Sequence, residues 1–179
     1  MKKKLNYKWV IKIVLISIVA SMVFTLASTE VLGHAGWIIA LVVLAVFIFL
    51  GIIFDMIAIA VVTATEAPFH SMAARREHGA TASLKLIKNA DKVTSFCSDV
   101  VGDVSGIVSG TTAALIAARL MEGLRMTNFL FPLLLSGAVT GLTVGGKALC
   151  KTYAFNNSTG IVFRVGKIIS VFHRKSYSE

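Results

Sequence analysis

Asp99 and Asp103 stand one helical turn apart in an otherwise apolar stretch, Val93 to Leu120, where Gly102, Gly106 and Gly110 recur at four-residue spacing. Even on lenient insertion scales, an ionised carboxylate at the centre of a membrane helix costs about 2.5–3.5 kcal/mol. Two on one face require water, a basic group or a bound cation. Glycines four residues apart let another backbone approach that face closely. The pattern predicts an ion site inside a membrane protein. Ser98, Ser105, Ser109 and Thr111 add hydroxyl oxygens to the same stretch, and the preceding apolar run ends in Thr63, Thr65 and Glu66. Mg²⁺ takes oxygen ligands in octahedral array and often keeps some of its waters. If the two stretches meet in mid-membrane, they make an oxygen-lined, negatively charged pocket for such an ion.

Other readings of these residues stay open. Asp99 and Asp103 could neutralise a Lys or Arg from a neighbouring span, or cap a helix. Asp55, late in the second apolar run, could be a ligand or a structural acid bonded to a Thr hydroxyl. The glycine ladders fit helix packing. His34, His70, His78 and His173 are scattered and read as no metal ligand, and no nucleophile–base pair, phosphate loop or thiol motif is present. No enzyme activity is expected.

The elements that must position these groups follow from composition. The 179 residues are 56% hydrophobic and 15% charged, against about 45–50% apolar and 25% charged in an ordinary soluble domain. A helical span needs roughly 20 apolar residues, and four runs qualify, at about 9–27, 37–62, 93–119 and 129–149. A cleaved signal is disfavoured for the first, because the run is long, Lys12 interrupts its start and no clean small-x-small cleavage site follows. Between the second and third runs, residues 70–92 read as one basic amphipathic helix at the interface, with Leu84, Leu86, Ile87 and Val93 opposed by Arg75, Arg76, Lys85, Lys88 and Lys92. Residues 158–179 form an amphipathic tail in which Ile161, Val162, Val165, Ile168, Ile169 and Phe172 oppose Arg164, Lys167, Arg174 and Lys175. The expected fold is therefore an all-α integral membrane protein of four spans with a juxtamembrane and a C-terminal amphipathic helix, residues 1–157 being the membrane domain and 158–179 a cytoplasmic tail.

The formal net charge is +9, yet the basic residues cluster just outside the apolar runs, as orientation signals do, which argues against nucleic acid as partner. The N-terminus, the 70–92 segment and the tail are basic, whereas the 28–36 loop has no Lys or Arg and the 119–127 loop has two. Four alternating spans put all three basic regions on one side, so both termini are expected in the cytoplasm, in a bacterial plasma membrane. Cys97 and Cys150 lie in or beside apolar runs without metal spacing and read as buried free thiols.

The order of segments resembles the transmembrane domain of the CorB/CorC and cyclin M magnesium transporters over about residues 40–157. Thr65-Glu66-Ala67-Pro68-Phe69-His70-Ser71-Met72 resembles the family's Ser-Glu-Thr-Ala-containing motif. Leu84 to Val93, LKLIKNADKV, is similar to its Leu-Lys-Leu-Leu-Glu-Asn-Pro-Asp-Arg-Leu, and Gly102-Asp103 falls where it carries Gly-Asn-Asn. Gly146 to Ala154, GKALCKTYA, keeps the spacing of Gly-Glu-Ile-Leu-Pro-Lys-Thr-x-Ala. The resemblance implies a dimer across the span faces and a Mg²⁺ site of hydroxyl, amide and carbonyl oxygens. The expected metal residues are then Thr65, Ser98, Asp99, Gly102 and Asp103, with Glu66 as a gate or supporting acid. Gly106 and Gly110, or Gly137, Gly141 and Gly145, would make helix-packing or dimer faces.

Departures from the family are part of the expectation. Lys147 reverses the charge of the family's acid, Cys150 replaces its proline, and the 179 residues hold no counterpart of its nucleotide-sensing CBS domains. The leading reading is a minimal divalent cation transporter, with Mg²⁺ as substrate, embedded in the bilayer as a homodimer and open to a cytosolic regulatory partner. The alternative is a non-transporting scaffold or accessory subunit in which Lys147 pairs with Asp99 or Asp103 and fills the former ion site.

Overall fold

In a computed structural model, residues 7–34, 36–124 and 130–175 are described. The basic start Met1-Lys2-Lys3-Lys4 and Arg125 lie outside them. The described chain is all helical: α1 (Tyr7–His34), α2 (Trp37–Thr63), α3 (Ala67–Ala74), α4 (Ala80–Lys88), α5 (Ala90–Thr94), a π-helical segment (Ser95–Gly102), α6 (Asp103–Leu124), α7 (Leu130–Asn156) and α8 (Ser158–Lys175). Four stretches are long and apolar enough to cross a membrane: Tyr7–Glu30, Ile38–Thr63, Ala90–Gly123 and Leu130–Asn156. α1 and α7 expose much of their apolar length, including Ile11, Leu15, Val19 and Met22 on α1 and Leu133, Leu134, Leu142 and Leu149 on α7. Continuous apolar surface of this extent is foreign to a water-soluble monomer and matches contact with lipid.

Several boundaries differ from those read in the sequence, for local reasons. The 28–36 loop is mostly helix, because α1 continues to His34. The Ser28 and Thr29 hydroxyls bond back to the Thr25 carbonyl oxygen at 3.0 and 2.8 Å and leave the helical ladder unbroken. The expected 70–92 helix is instead three helices. Arg76 at φ 57° and Gly79 at φ 97° turn the chain between α3 and α4, a left-handed conformation that a continuous helix excludes.

The contacts group the chain into two units. One holds residues up to Ile52 and Asp99–Gly146. Within it, Phe24 of α1 meets Phe47 of α2 edge-to-face at 5.7 Å between ring centroids. Ala40, Leu44, Ile48 and Ile52 form the buried stripe of α2, and Val100, Val104 and Val108 that of the third span, each recurring at helical period. Close backbone approach falls at Gly51, where an added Cβ would lie 3.3 Å from the Ser105 Cβ, and at Gly146, where it would lie 2.5 Å from Ile52 Cδ1. Gly106, Gly110, Gly137, Gly141 and Gly145 have nothing within 4 Å of that position. These five glycines make no close approach to the rest of the described chain, whereas Gly102, at the head of the first ladder, is buried.

The other unit holds Ile53–Ser98 and Lys147 onward. Its core gathers Ala60, Val61 and Ala64 from the end of α2, Phe69 of α3, Ala154 of α7, and Ile161 and Val162 of α8. Expected as a separate tail, α8 is instead part of this core. Ser83 of α4, fully buried, donates to the Val162 carbonyl at 3.1 Å and to the Gly79 carbonyl at 3.0 Å. Gly166 admits this contact, since a Cβ there would collide with Ser83 Oγ and lie 2.8 Å from the Gly79 carbonyl.

Candidate functional site: a carboxylate-bearing groove between α1 and α6

The third span, Ala90–Gly123, is not α-helical throughout. Ser95–Gly102 is π-helical before α6 resumes at Asp103. Such i→i+5 turns are rare and concentrate at functional sites. Asp99 lies in the π segment and Asp103 opens α6, so the change of winding falls between the two carboxylates.

Asp99 and Asp103 line one side of an open groove of ≈ 910 Å³. To the same groove α1 contributes Ser17, Ser21 and Thr25, spaced by four residues and so stacked on one helix face. Ile18, Met22 and Leu26 of α1, with Val104 and Ile107 of α6, make the apolar walls. Two exposed carboxylates and three hydroxyl residues therefore line one groove whose surface is mostly apolar. Among the described residues no group of three or more His, Cys, Asp or Glu gathers to hold a metal. Two carboxylates with hydroxyls suit an ion that keeps part of its water, as Mg²⁺ does, rather than one stripped into an all-protein cage. The hydroxyl stripe escaped sequence reading because Ser and Thr four apart in a span read as packing residues; only the apposition of α1 with Asp99 and Asp103 gives them a role.

The remaining expected ligands are placed elsewhere. Ser98 belongs to the other unit and donates to Asp55 Oδ1 at 2.6 Å. Asp55 is buried, about two turns before the end of α2, and so is met by a serine where the sequence suggested a threonine. Thr65 is exposed in the short connection after α2, so Ser98 meets α2 deeper than the Thr63–Glu66 stretch. Thr63 and Thr111 bond back to their own helices, at 2.9 Å to Ile59 and 3.0 Å to Val108. Glu66 lies 3.4 Å from His70 Nε2, both side chains being exposed, a surface pair worth about 0–1 kcal/mol. Gly102 is buried, with its carbonyl 3.6 Å from the position of a Gly51 Cβ, so that carbonyl faces α2. Lys147 is half-buried on α7 and falls in the unit of Ser98, whereas Asp99 and Asp103 fall in the other. Cys97 and Cys150 are free thiols, the first buried.

The Asp55–Ser98 bond gives a direct prediction. Ser98→Ala leaves a buried carboxylate without its hydroxyl donor and should destabilise the protein by roughly 1–3 kcal/mol. Adding Asp55→Leu removes the orphaned group and should restore most of that loss, as read by thermal unfolding in detergent. If Ser98→Ala melts with the parent, the bond does not support the fold.

Four apolar helices of spanning length, with two carboxylates opening into a groove between two of them, define an all-α membrane protein. In comparisons with family models, curated proteins and solved structures, nothing matches this chain.

Proposed function

We propose that the chain moves a divalent cation across the membrane, with Mg²⁺ as the substrate and the α1–α6 groove as its binding site. The observation that carries this is that Asp99 and Asp103 line the same groove as Ser17, Ser21 and Thr25. Two negative charges beside lipid are expensive unless a cation offsets them, and the hydroxyls supply neutral oxygens of the kind a partly hydrated Mg²⁺ takes. Asp99 and Asp103 are the anionic ligands on this reading; α1, an extra span in the register of the family resemblance, supplies the neutral wall. Thr65 and Ser98 are left out of the site.

The test is ion-dependent thermal stability of the purified protein at fixed ionic strength, followed by flux in liposomes. Mg²⁺ should raise stability saturably, and Ca²⁺ and Na⁺ should not at equal concentration. An equal response to all three ions, or none, overturns the proposal. The scaffold alternative makes Lys147 the decisive residue. If the parent ignores Mg²⁺ and Lys147→Glu creates a response, the lysine occupies a former ion site and the protein is a non-transporting member of its class. On the transport reading, Lys147→Glu should leave the existing Mg²⁺ response within about twofold of the parent's midpoint.

A further inference from the structure

α8 is longer than the helix it packs on. Gly79, at the head of α4, meets Gly166 and Lys167, while Ser83, one turn later, meets Val162. The two helices therefore run antiparallel, and α8 continues past the head of α4 from Ile168 onward. In that continuation Ile168 and Ile169 extend the stripe of Ile161, Val162 and Val165, and both are exposed, as is Val171. The apolar face is covered over its first half and bare over its second.

Charge surrounds the bare half. Arg164, one turn before Ile168, and Lys167 are exposed. From Lys147 to Lys175 the sequence contains Lys147, Lys151, Arg164, Lys167, Arg174 and Lys175 and no Asp or Glu. Exposed Lys85 and Lys88 of α4 belong to the same unit, as do the exposed acids Glu77 and Asp91 just before and after α4. α8 also starts two residues after α7, a helix of spanning length and apolarity, ends at Asn156. A bare apolar stripe flanked by cations at the end of a span calls for a medium that is apolar on one side and anionic on the other. The headgroup layer of an anionic leaflet is that medium.

We propose that the exposed face of the α4–α8 pair binds anionic phospholipid, with Arg164 and Lys167 on the phosphates and Ile168 and Ile169 in the acyl boundary. This site is independent of the α1–α6 groove. Its consequence is that the protein distinguishes leaflets by lipid charge.

Binding is read by native mass spectrometry of the full-length protein in neutral detergent, titrated with phosphatidylglycerol or phosphatidylcholine. The parent should retain phosphatidylglycerol preferentially. Arg164→Gln with Lys167→Gln should weaken that retention roughly 10- to 30-fold and leave phosphatidylcholine unchanged. Arg164→Lys with Lys167→Arg should keep the preference, which separates charge from folding. The proposal is overturned if the parent takes up both lipids alike, if the double Gln variant retains phosphatidylglycerol like the parent, or if the charge-preserving variant loses it too. Polyglutamate competing with phosphatidylglycerol at equal affinity would overturn it in favour of an acidic protein partner.

Discussion

Asp99→Asn combined with Asp103→Asn should abolish Mg²⁺ protection and leave the ion-free protein more stable than the parent. Both signs follow from the groove. In the parent, two carboxylates one turn apart line a cleft whose other walls are Ile18, Met22, Leu26, Val104 and Ile107. Their mutual repulsion costs about 0.2–0.5 kcal/mol on a helix surface, and their transfer from water costs more. A cation relieves both. At a hundredfold excess over Kd the parent should gain about 2.7 kcal/mol, a rise of roughly 5–10 °C in Tm for a chain of this size. The amide variant keeps shape and oxygen donors but has no charge for the ion to neutralise, so its melting curve should be flat in Mg²⁺ and start higher. Ser17→Ala with Ser21→Ala should shift the Mg²⁺ midpoint while preserving the response. A double Asn variant that tracks the parent through the titration would remove Asp99 and Asp103 from the site.

The second large effect is expected far from the groove. Gly166→Val should undock α8 from α4. A first side-chain carbon at 166 already collides with Ser83 Oγ and lies 2.9 Å from the Ser83 amide nitrogen and 2.8 Å from the Gly79 carbonyl. These are backbone or tightly held atoms, so the neighbour cannot rotate away. Overpacking of this kind costs about 1–3 kcal/mol, and parting the helices leaves the buried Ser83 without its Val162 partner, about 1–3 kcal/mol more. Amide exchange should accelerate by at least tenfold along α4 and α8 and stay unchanged in α1 and α6. Gly160→Ala is the control, because Gly160 has open space at its Cβ position and alanine favours helix. Equal exchange in Gly166→Val and the parent would mean that the α4–α8 contact is not held at this glycine.

The division between sequence and tertiary structure runs along interaction range. The sequence by itself determined the all-α class and the four apolar segments, because the length and hydropathy of one segment decide whether it can sit in lipid. It also singled out Asp99 and Asp103, since charge in an apolar run is conspicuous without a neighbour. Helix ends were less legible: α1 runs on through Ser28 and Thr29, whose hydroxyls bond back to the Thr25 carbonyl within the helix, and the 70–92 segment breaks where Arg76 and Gly79 take positive φ. Glycine spacing was a poor guide to contact. Gly106, Gly110, Gly137, Gly141 and Gly145 are open, while Gly51, Gly79, Gly146 and Gly166, outside the ladders, sit at close approaches. Only the tertiary structure decided that Ser98 serves Asp55, that Asp99 and Asp103 share a groove with Ser17, Ser21 and Thr25 of α1, and that α8 joins α4. Each of these pairs residues tens of positions apart, and a local pattern carries no record of which helix face meets which.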